Sequence, residues 1–138
     1  MINEINFSTN ALFKAVNYDA DANSWNLTFT DGINVNVSAF WRLFYNDHIA
    51  LISLDHMHQF GLPKPINLEE LLQEKLSEKR LTKIEVDNNT GDLTLTLSDQ
   101  YKLNIYTSSI GYESYSFSFN DKRYFGLGFG EIAIMNIQ

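Results

Sequence analysis

The chain has 138 residues, the size of one ordinary globular domain, and its 44% hydrophobic content is enough for a core without disulfides or metal. It contains no cysteine, which excludes disulfides, thiol catalysis and thiolate metal sites. Seventeen acidic residues against ten basic ones give a net charge of −7. Nucleic acid and anionic membranes are therefore poor partners, because both require a basic surface. A basic protein would be attracted, although many domains are acidic only for solubility.

The first strong pattern is an alternation of apolar and polar residues, which is typical of strands with one buried face. The turn Asp31-Gly32 divides it into two strands of a hairpin. The apolar positions are Trp25, Leu27, Phe29, Ile33, Val35 and Val37.

Residues 40–45 predict a further strand that is apolar on both faces. Trp41, Leu43 and Tyr45 share one face, and Arg42 lies between two phenylalanines on the other. Arg42 suits either an interior position, stabilised by stacking and by Glu113, or a contact with another protein.

Asp55-His56-Met57-His58 is the densest group of potential metal ligands, with Asp47 and His48 nearby. A single His-x-His pair is common by chance and lacks the spacing of a zinc site. We therefore favour a partly exposed loop leading to a helix, and expect no metal.

Residues 67–78 predict a helix. Asn67 is a suitable N-cap, and Glu70 stands at the capping-box position. The apolar stripe that should cover the sheet consists of Leu68, Leu71, Leu72 and Leu76. The carboxylates expected to point into solvent are Glu69, Glu70, Glu74 and Glu78.

The alternating pattern recurs later in the chain. Positions 25–37 match positions 93–105 at a constant distance of 68, as in Trp25 and Leu93. Residues 41–47 match residues 115–121 at a distance of 74, so the second copy carries an extension around residues 107–113. This extension places Tyr112 on an exposed Ser/Gly loop, a favourable composition for contacts.

These elements predict an α+β fold. We expect two tandem antiparallel β-meander units, duplicated, with one connecting helix packed on the sheet. The single domain would span residues 1–138, with the first β unit at about 11–54, the loop and helix at 55–80 and the second β unit at about 81–136.

No motif indicates catalysis or a cofactor. A Gly-x-Ser-x-Gly elbow is absent, and Gly126, Gly128 and Gly130 do not open a predicted helix as a phosphate loop would. These glycines alternate with large side chains and predict close approach of another backbone. We expect neither catalytic residues nor a cofactor.

Several framework segments together resemble small bacterial immunity proteins that accompany polymorphic or contact-dependent growth inhibition toxins. The segments are Trp25-x-Leu27-x-Phe29-x-Asp31-Gly32, Trp41-Arg42-Leu43, Gly91-Asp92-Leu93 and Tyr112-Glu113-Ser114-Tyr115, within a resemblance from Leu12 to Phe129. The resemblance implies a cytoplasmic protein that binds one cognate toxin domain and blocks it. Many such toxins are basic nucleases, which suits an acidic inhibitor.

We therefore predict an immunity protein that occludes the active site of a basic toxin. The candidate contact residues are Arg42, Asp47, Asp55, Glu69, Glu70, Glu74, Glu78, Tyr112 and Glu113. The alternatives are a small-molecule-binding module on a curved β-sheet and, third, a histidine-dependent metalloenzyme. The first residues show no basic segment followed by an apolar run, so we expect no signal peptide, no membrane association and a cytoplasmic location.

Overall fold

The computed structural model describes residues 5–137. In this range the chain is mostly antiparallel β-sheet with one α-helix, which confirms the α+β class. Short 3₁₀ turns occur at Ser53–Asp55 and Gly128–Gly130. The strands and the helix are β1 (Ile5–Asp19), β2 (Ser24–Phe29), β3 (Asn34–Val37), β4 (Trp41–Tyr45), β5 (His48–Ile52), α1 (Leu68–Leu76), β6 (Arg80–Val86), β7 (Leu93–Leu97), β8 (Tyr101–Ile105), β9 (Tyr115–Phe119), β10 (Lys122–Gly126) and β11 (Ile132–Asn136).

The eleven strands form one sheet in the order β11-β10-β9-β3-β2-β1-β6-β7-β8-β4-β5. The long strand β1 joins its two halves, because residues 5–12 pair with β6 and residues 13–19 pair with β2. The pairing register shifts between Ser8 and Ala11. Such irregularities bend a strand and let a sheet turn over its own core.

The two halves of the sheet pack against each other. Trp25 of β2 meets Trp41 of β4 with ring centroids 5.2 Å apart, although many strands separate β2 from β4 in the sheet. Phe7 of β1 stacks on Phe119 of β9 at 4.4 Å. The alternating apolar residues of β2, β3, β7 and β8 fill the space between the halves, and this burial of apolar surface is the main stabilising contribution.

The fourth strands of the two predicted units are β4 and β9. Each lies in the half of the sheet that contains the other unit's second and third strands. Strand β4 pairs with β8, and β9 pairs with β3. The backbone follows the same exchange: Ser38 N–H donates to Ser114 O, and Tyr106 N–H donates to Phe40 O, each at 2.9 Å. Neither stretch therefore forms a continuous four-stranded meander. The link of residues 38–40 leads the chain across the core instead of folding it back as a hairpin.

Helix α1 begins as the sequence predicts. The Asn67 side chain accepts a hydrogen bond from Glu70 N–H at 3.2 Å, so Asn67 is confirmed as the N-cap. Leu68, Leu72 and Leu76 are buried against the core. In residues 5–137 no helix is long and apolar enough to span a bilayer.

Side chains of α1 form hydrogen bonds with the second half of β1, along the stretch of its edge that does not pair with β6. Gln73 Oε1 accepts from Val16 N–H at 3.0 Å, and Gln73 Nε2 donates to Lys14 O at 3.3 Å. Glu69 Oε2 accepts from Tyr18 N–H at 2.8 Å. The expectation that Glu69 points into solvent is therefore wrong. Its carboxylate satisfies a strand donor that would otherwise lack a partner.

Candidate protein-binding surface

Tyr112 lies on the loop between β8 and β9, and its side chain is 80% exposed, as the sequence predicts. Hydroxyl groups fix the backbone of this loop. Ser109 Oγ accepts from Gly111 N–H at 3.0 Å and from Tyr112 N–H at 2.9 Å. Ser108 N–H donates to Ser114 Oγ at 3.1 Å. The tyrosine is therefore presented by a hydrogen-bonded loop.

A second loop, between β10 and β11, packs against the first. A Cβ on Gly128 would collide with the carbonyl oxygen of Ile110, and a Cβ on Gly130 would collide with that of Thr90. The predicted close approach of another backbone is confirmed at Gly128 and Gly130, whereas Gly126 approaches the ring of Tyr115. Between Gly128 and Gly130, Phe129 adopts φ +62°, a conformation that costs non-glycine residues energy.

Ile110, Tyr112 and Phe129 form what we call the aromatic loop surface. Ile110 is 71% exposed and Phe129 is 73% exposed. Ile110 and Phe129 border a depression of about 550 Å³, which Asn89, Thr90 and Tyr106 also line. Exposed apolar side chains that lie close together are typical of protein-contact sites, and Ile110 and Phe129 border the same depression.

Several carboxylates lie on or near the loops of the aromatic loop surface. Glu113 and Glu131 are exposed on the same two loops. Asp92 supports the first loop by accepting from Thr107 N–H at 2.7 Å. Hydrogen bonds from the N–H groups of Thr90 and Asn89 lower the pKa of Asp87, which keeps this carboxylate charged. The surface thus combines exposed apolar side chains with neighbouring carboxylates.

A buried hydroxyl and a half-buried guanidinium lie close to the first loop. Tyr115 OH donates to Gly91 O at 2.8 Å, which ties the turn after β6 to β9. Burial, with a contribution from Asp92, raises the pKa of Tyr115 well above its usual range, so the hydroxyl keeps its proton. Burial lowers the pKa of Arg123 while Glu113 opposes this shift, which places Glu113 beside a cation.

Arg42 is held on the outer face of β4. Its Nη2 and Nε donate to Tyr106 OH at 2.7 and 3.1 Å. The guanidinium carbon lies 5.2 Å from the Phe44 ring centroid and 5.1 Å from that of Tyr106. Tyr106 therefore takes the role expected of Glu113, which forms no salt bridge with Arg42 within residues 5–137. Stacking and hydrogen bonding account for the position of Arg42.

The remaining predicted contact residues lie outside the aromatic loop surface. Asp47 is exposed in the tight turn between β4 and β5. Asp55 is half-buried in the 3₁₀ turn that follows β5. The exposed carboxylates of the helix region are Glu70, Glu74 and Glu78, the last with φ +62° just beyond the helix.

His56 stabilises the start of the helix. Its Nδ1 accepts from Leu68 N–H, the first residue of α1, at 3.1 Å. The imidazole packs on Tyr18 and Trp25, with ring centroids 4.6 and 4.9 Å away. Over the described range 5–137, no three His, Asp or Glu side chains are arranged to hold a metal ion. His58 instead packs beside Phe60.

Ile110 and Phe129 were not among the predicted contact residues. The available signal was the alternation of large side chains with glycine at residues 124–130, which also suits a strand. Comparisons with protein-family models, curated proteins and solved structures gave no match to this chain.

Proposed function

We propose that this chain is an immunity protein that binds a basic toxin domain and occludes its active site, and that the aromatic loop surface is its principal contact. The observation that carries the proposal is the exposure of Ile110, Tyr112 and Phe129 on two loops fixed by hydrogen bonds and by close backbone packing.

Preorganisation supports a role in tight binding. An interface loses affinity when flexible loops must be ordered, and the aromatic loop surface avoids much of this cost. Tyrosine is enriched among the residues that contribute most to binding energy. The glycines that flank Phe129 pack against other loops and hold its strained backbone, which keeps the ring exposed to a partner.

Charge supports a basic partner. The chain carries −7, and Glu113 and Glu131 adjoin the exposed aromatic groups. Opposite charges accelerate encounter, while packed aromatic groups slow dissociation. An inhibitor that must capture a toxin before it acts benefits from both effects.

Strand pairing supports the proposal that the chain contains an internal duplication. Val16 of β1 pairs with Leu27 of β2, and 68 residues later Ile84 of β6 pairs with Leu95 of β7. Side-chain contacts correspond as well: Leu12 N–H donates to Thr30 Oγ1 at 2.7 Å, and Arg80 N–H donates to Ser98 Oγ at 2.9 Å.

The exchanged strands correspond in the same way. Val35 matches Leu103, which lies 68 residues later, and Phe117 matches Leu43, which lies 74 residues earlier. Val35 pairs with Phe117, and the matching residues Leu103 and Leu43 also pair with each other. We therefore propose two equivalent units that exchange their fourth strands. The extension at residues 107–113, which the first unit lacks, then builds the proposed contact surface on one unit only.

The alternative of a small-molecule-binding module has a different candidate location. The inner face of the sheet is filled by its own side chains, whereas a polar groove of about 810 Å³ lies on the outer face beside Thr94, Lys102 and Asn104. Asn104 Oδ1 is buried there without a hydrogen-bond partner among residues 5–137. A metabolite that raises the melting temperature of the wild type, but not of Asn104→Ala, would favour this alternative.

The proposed function is tested by protection from a toxin. The candidate is a toxin domain encoded beside this gene, expressed from an inducible promoter with or without the chain. We expect the wild type to restore growth, and Tyr112→Ala/Phe129→Asn to lose protection; asparagine tolerates positive φ, so the second change removes the ring and spares the backbone. The matched control is Tyr45→Ala/Ile49→Ala, which removes two exposed apolar side chains at the β4–β5 hairpin.

Failure of the wild type to protect against the encoded toxin, together with no complex between the purified proteins, would contradict the proposed function. Equal loss of protection in the control and in the loop variant would contradict the assignment of the surface. Circular dichroism of all variants ensures that only folded proteins are compared.

A further inference from the structure

A second apolar concavity lies between α1 and the loop that precedes it, and we call it the helix groove. It encloses about 1190 Å³. Met57 is 56% exposed and Leu62 is 47% exposed at this site. The apolar residues that line it are Met57, Leu62, Pro63, Pro65, Ile66 and Leu71.

The wall formed by the loop is fixed. Met57 N–H donates to Ile66 O at 2.7 Å, and Ile66 N–H donates to His58 O at 2.8 Å. Leu62 N–H donates to Gln59 O at 2.8 Å. Pro63 and Pro65 restrict the backbone further. The groove is therefore open before any ligand arrives.

The other wall is acidic. Glu70 and Glu74 line the groove from successive turns of α1, and both are exposed. Residues four apart on a helix lie on the same face, roughly 6 Å apart along the axis. Among the described residues 5–137, Lys64 is the one basic residue that lines the groove. A ligand with apolar and basic groups would complement this arrangement.

We infer that the helix groove binds an amphipathic helix of the partner with an apolar stripe and flanking Lys or Arg residues. This inference rests on the proposed function, whose partner is a basic protein. An apolar face seated on Met57, Leu62 and Leu71 would place basic side chains against Glu70 and Glu74. Apolar anchors at helical spacing are the usual means by which a helix occupies a groove.

A helical occupant is favoured over an extended one by the state of the nearby sheet edge. An extended peptide binds by pairing with free backbone groups of an edge strand. The edge of β1 beside α1 is already bonded by Gln73 and Glu69. The groove therefore offers side chains as its contact surface.

The loop that precedes α1 and the loop that carries Tyr112 both begin beside the start of β4. Phe40 N–H donates to Ser108 Oγ at 3.2 Å on one loop, and Trp41 N–H donates to Ser53 Oγ at 3.0 Å on the other. Adjacent residues of the chain thus hold the starts of both loops.

The probe is a fluorescent peptide of about 14 leucines and lysines, roughly 21 Å long as a helix, with leucines at helical spacing. An isomer of equal composition carries the leucines at alternate positions. Fluorescence anisotropy with the full chain, at low and moderate salt, gives both affinities. We expect the helical isomer to bind the wild type at least roughly tenfold more tightly, a difference of about 1.4 kcal/mol.

Two sets of variants locate the binding site. Met57→Asp and Glu70→Lys/Glu74→Lys should each weaken binding of the helical isomer at least fivefold. The first variant disrupts the apolar wall, and the second reverses the charge of the acidic wall. The control is Asp21→Lys/Glu85→Lys, which changes the net charge equally at positions outside the groove lining, and it should weaken binding less than twofold. Equal binding of the isomers, or equal loss in the control, would overturn the inference.

The groove and the proposed function can fail separately. If groove variants still protect cells from the toxin while Tyr112→Ala/Phe129→Asn does not, the groove inference is wrong and the proposed function stands. If the helical isomer binds in the groove but no toxin is neutralised, the groove is a peptide site and the proposed function is wrong.

Discussion

At the scale of single residues, the aromatic cluster around His56 shows how side chains join distant parts of the chain. Trp25 contacts Tyr18, Trp41 and His56, and His56 in turn accepts the first N–H of α1. The cluster thus couples β1, β2 and β4 to the start of the helix. Its stability depends on a neutral imidazole, because protonated Nδ1 cannot accept a hydrogen bond.

This arrangement predicts a pH dependence of stability. Burial lowers the pKa of His56 below its ordinary value of 6.5, although Glu69 opposes the shift. The unfolded chain therefore binds the proton first as the pH falls, so the free energy of unfolding decreases below about pH 6.5 and levels off below the folded-state pKa. Urea unfolding at about pH 7.5 and 5.5, above the main titration of carboxylates, measures the loss.

His56→Gln is the informative variant for this prediction, since glutamine keeps an acceptor but does not titrate in this range. We expect the variant to lose less stability than the wild type between the two pH values. Equal losses would show that His56 does not carry the effect.

The residues of the proposed surface differ in how well the sequence predicts them. Tyr112 is predictable because a Ser/Gly loop around an aromatic residue indicates exposure by itself. Phe129 is not, because its exposure depends on Gly128 and Gly130 packing against the loops at Ile110 and Thr90, which are distant in sequence.

At the scale of elements, α1 acts as a substitute strand for the second half of β1. Gln73 provides both an acceptor and a donor to the uncovered edge, as a neighbouring strand would. The sequence predicts the N-cap and the apolar stripe because both depend on residues close along the chain. It does not predict that Glu69 and Gln73 turn towards β1, because that depends on where β6 leaves β1.

Gln73→Ala should therefore destabilise the protein by about 1–3 kcal/mol, the usual cost of leaving a buried donor without a partner. Glu74→Ala removes a neighbouring exposed side chain and should change the free energy of unfolding by less than about 0.5 kcal/mol. Urea denaturation of both variants measures the difference. A Gln73→Ala variant as stable as Glu74→Ala would contradict the role assigned to the helix.

At the scale of the whole molecule, strand exchange makes the two stretches dependent on each other. Alternation identifies strands from the sequence because burial of one face has a period of two. It does not identify their partners, because the alternation around Val35 is the same whether the next strand carries Phe117, as it does, or Leu43. For this reason the antiparallel strands were predictable, whereas the sheet order was not.

The exchange predicts that neither half folds alone as a monomer. Cleavage after Glu78, an exposed residue with positive φ, separates β1–β5 and α1 from β6–β11. We expect fragments 1–78 and 79–138 to lack cooperative melting as monomers and to regain the circular dichroism of the intact protein when mixed. A folded monomer formed by either fragment would contradict the mutual dependence of the halves.

The proposed role of the aromatic loop surface is tested most directly by the kinetics of binding to the purified toxin domain, measured by surface plasmon resonance at two salt concentrations. Association with the proposed basic partner should slow as the salt concentration rises, because salt screens the attraction between opposite charges. Tyr112→Ala and Phe129→Asn should each accelerate dissociation roughly tenfold or more, a loss of about 1.4 kcal/mol, while association at low salt is little changed. Dissociation rates equal to that of the wild type in both variants would contradict the claim that the aromatic loop surface binds the partner.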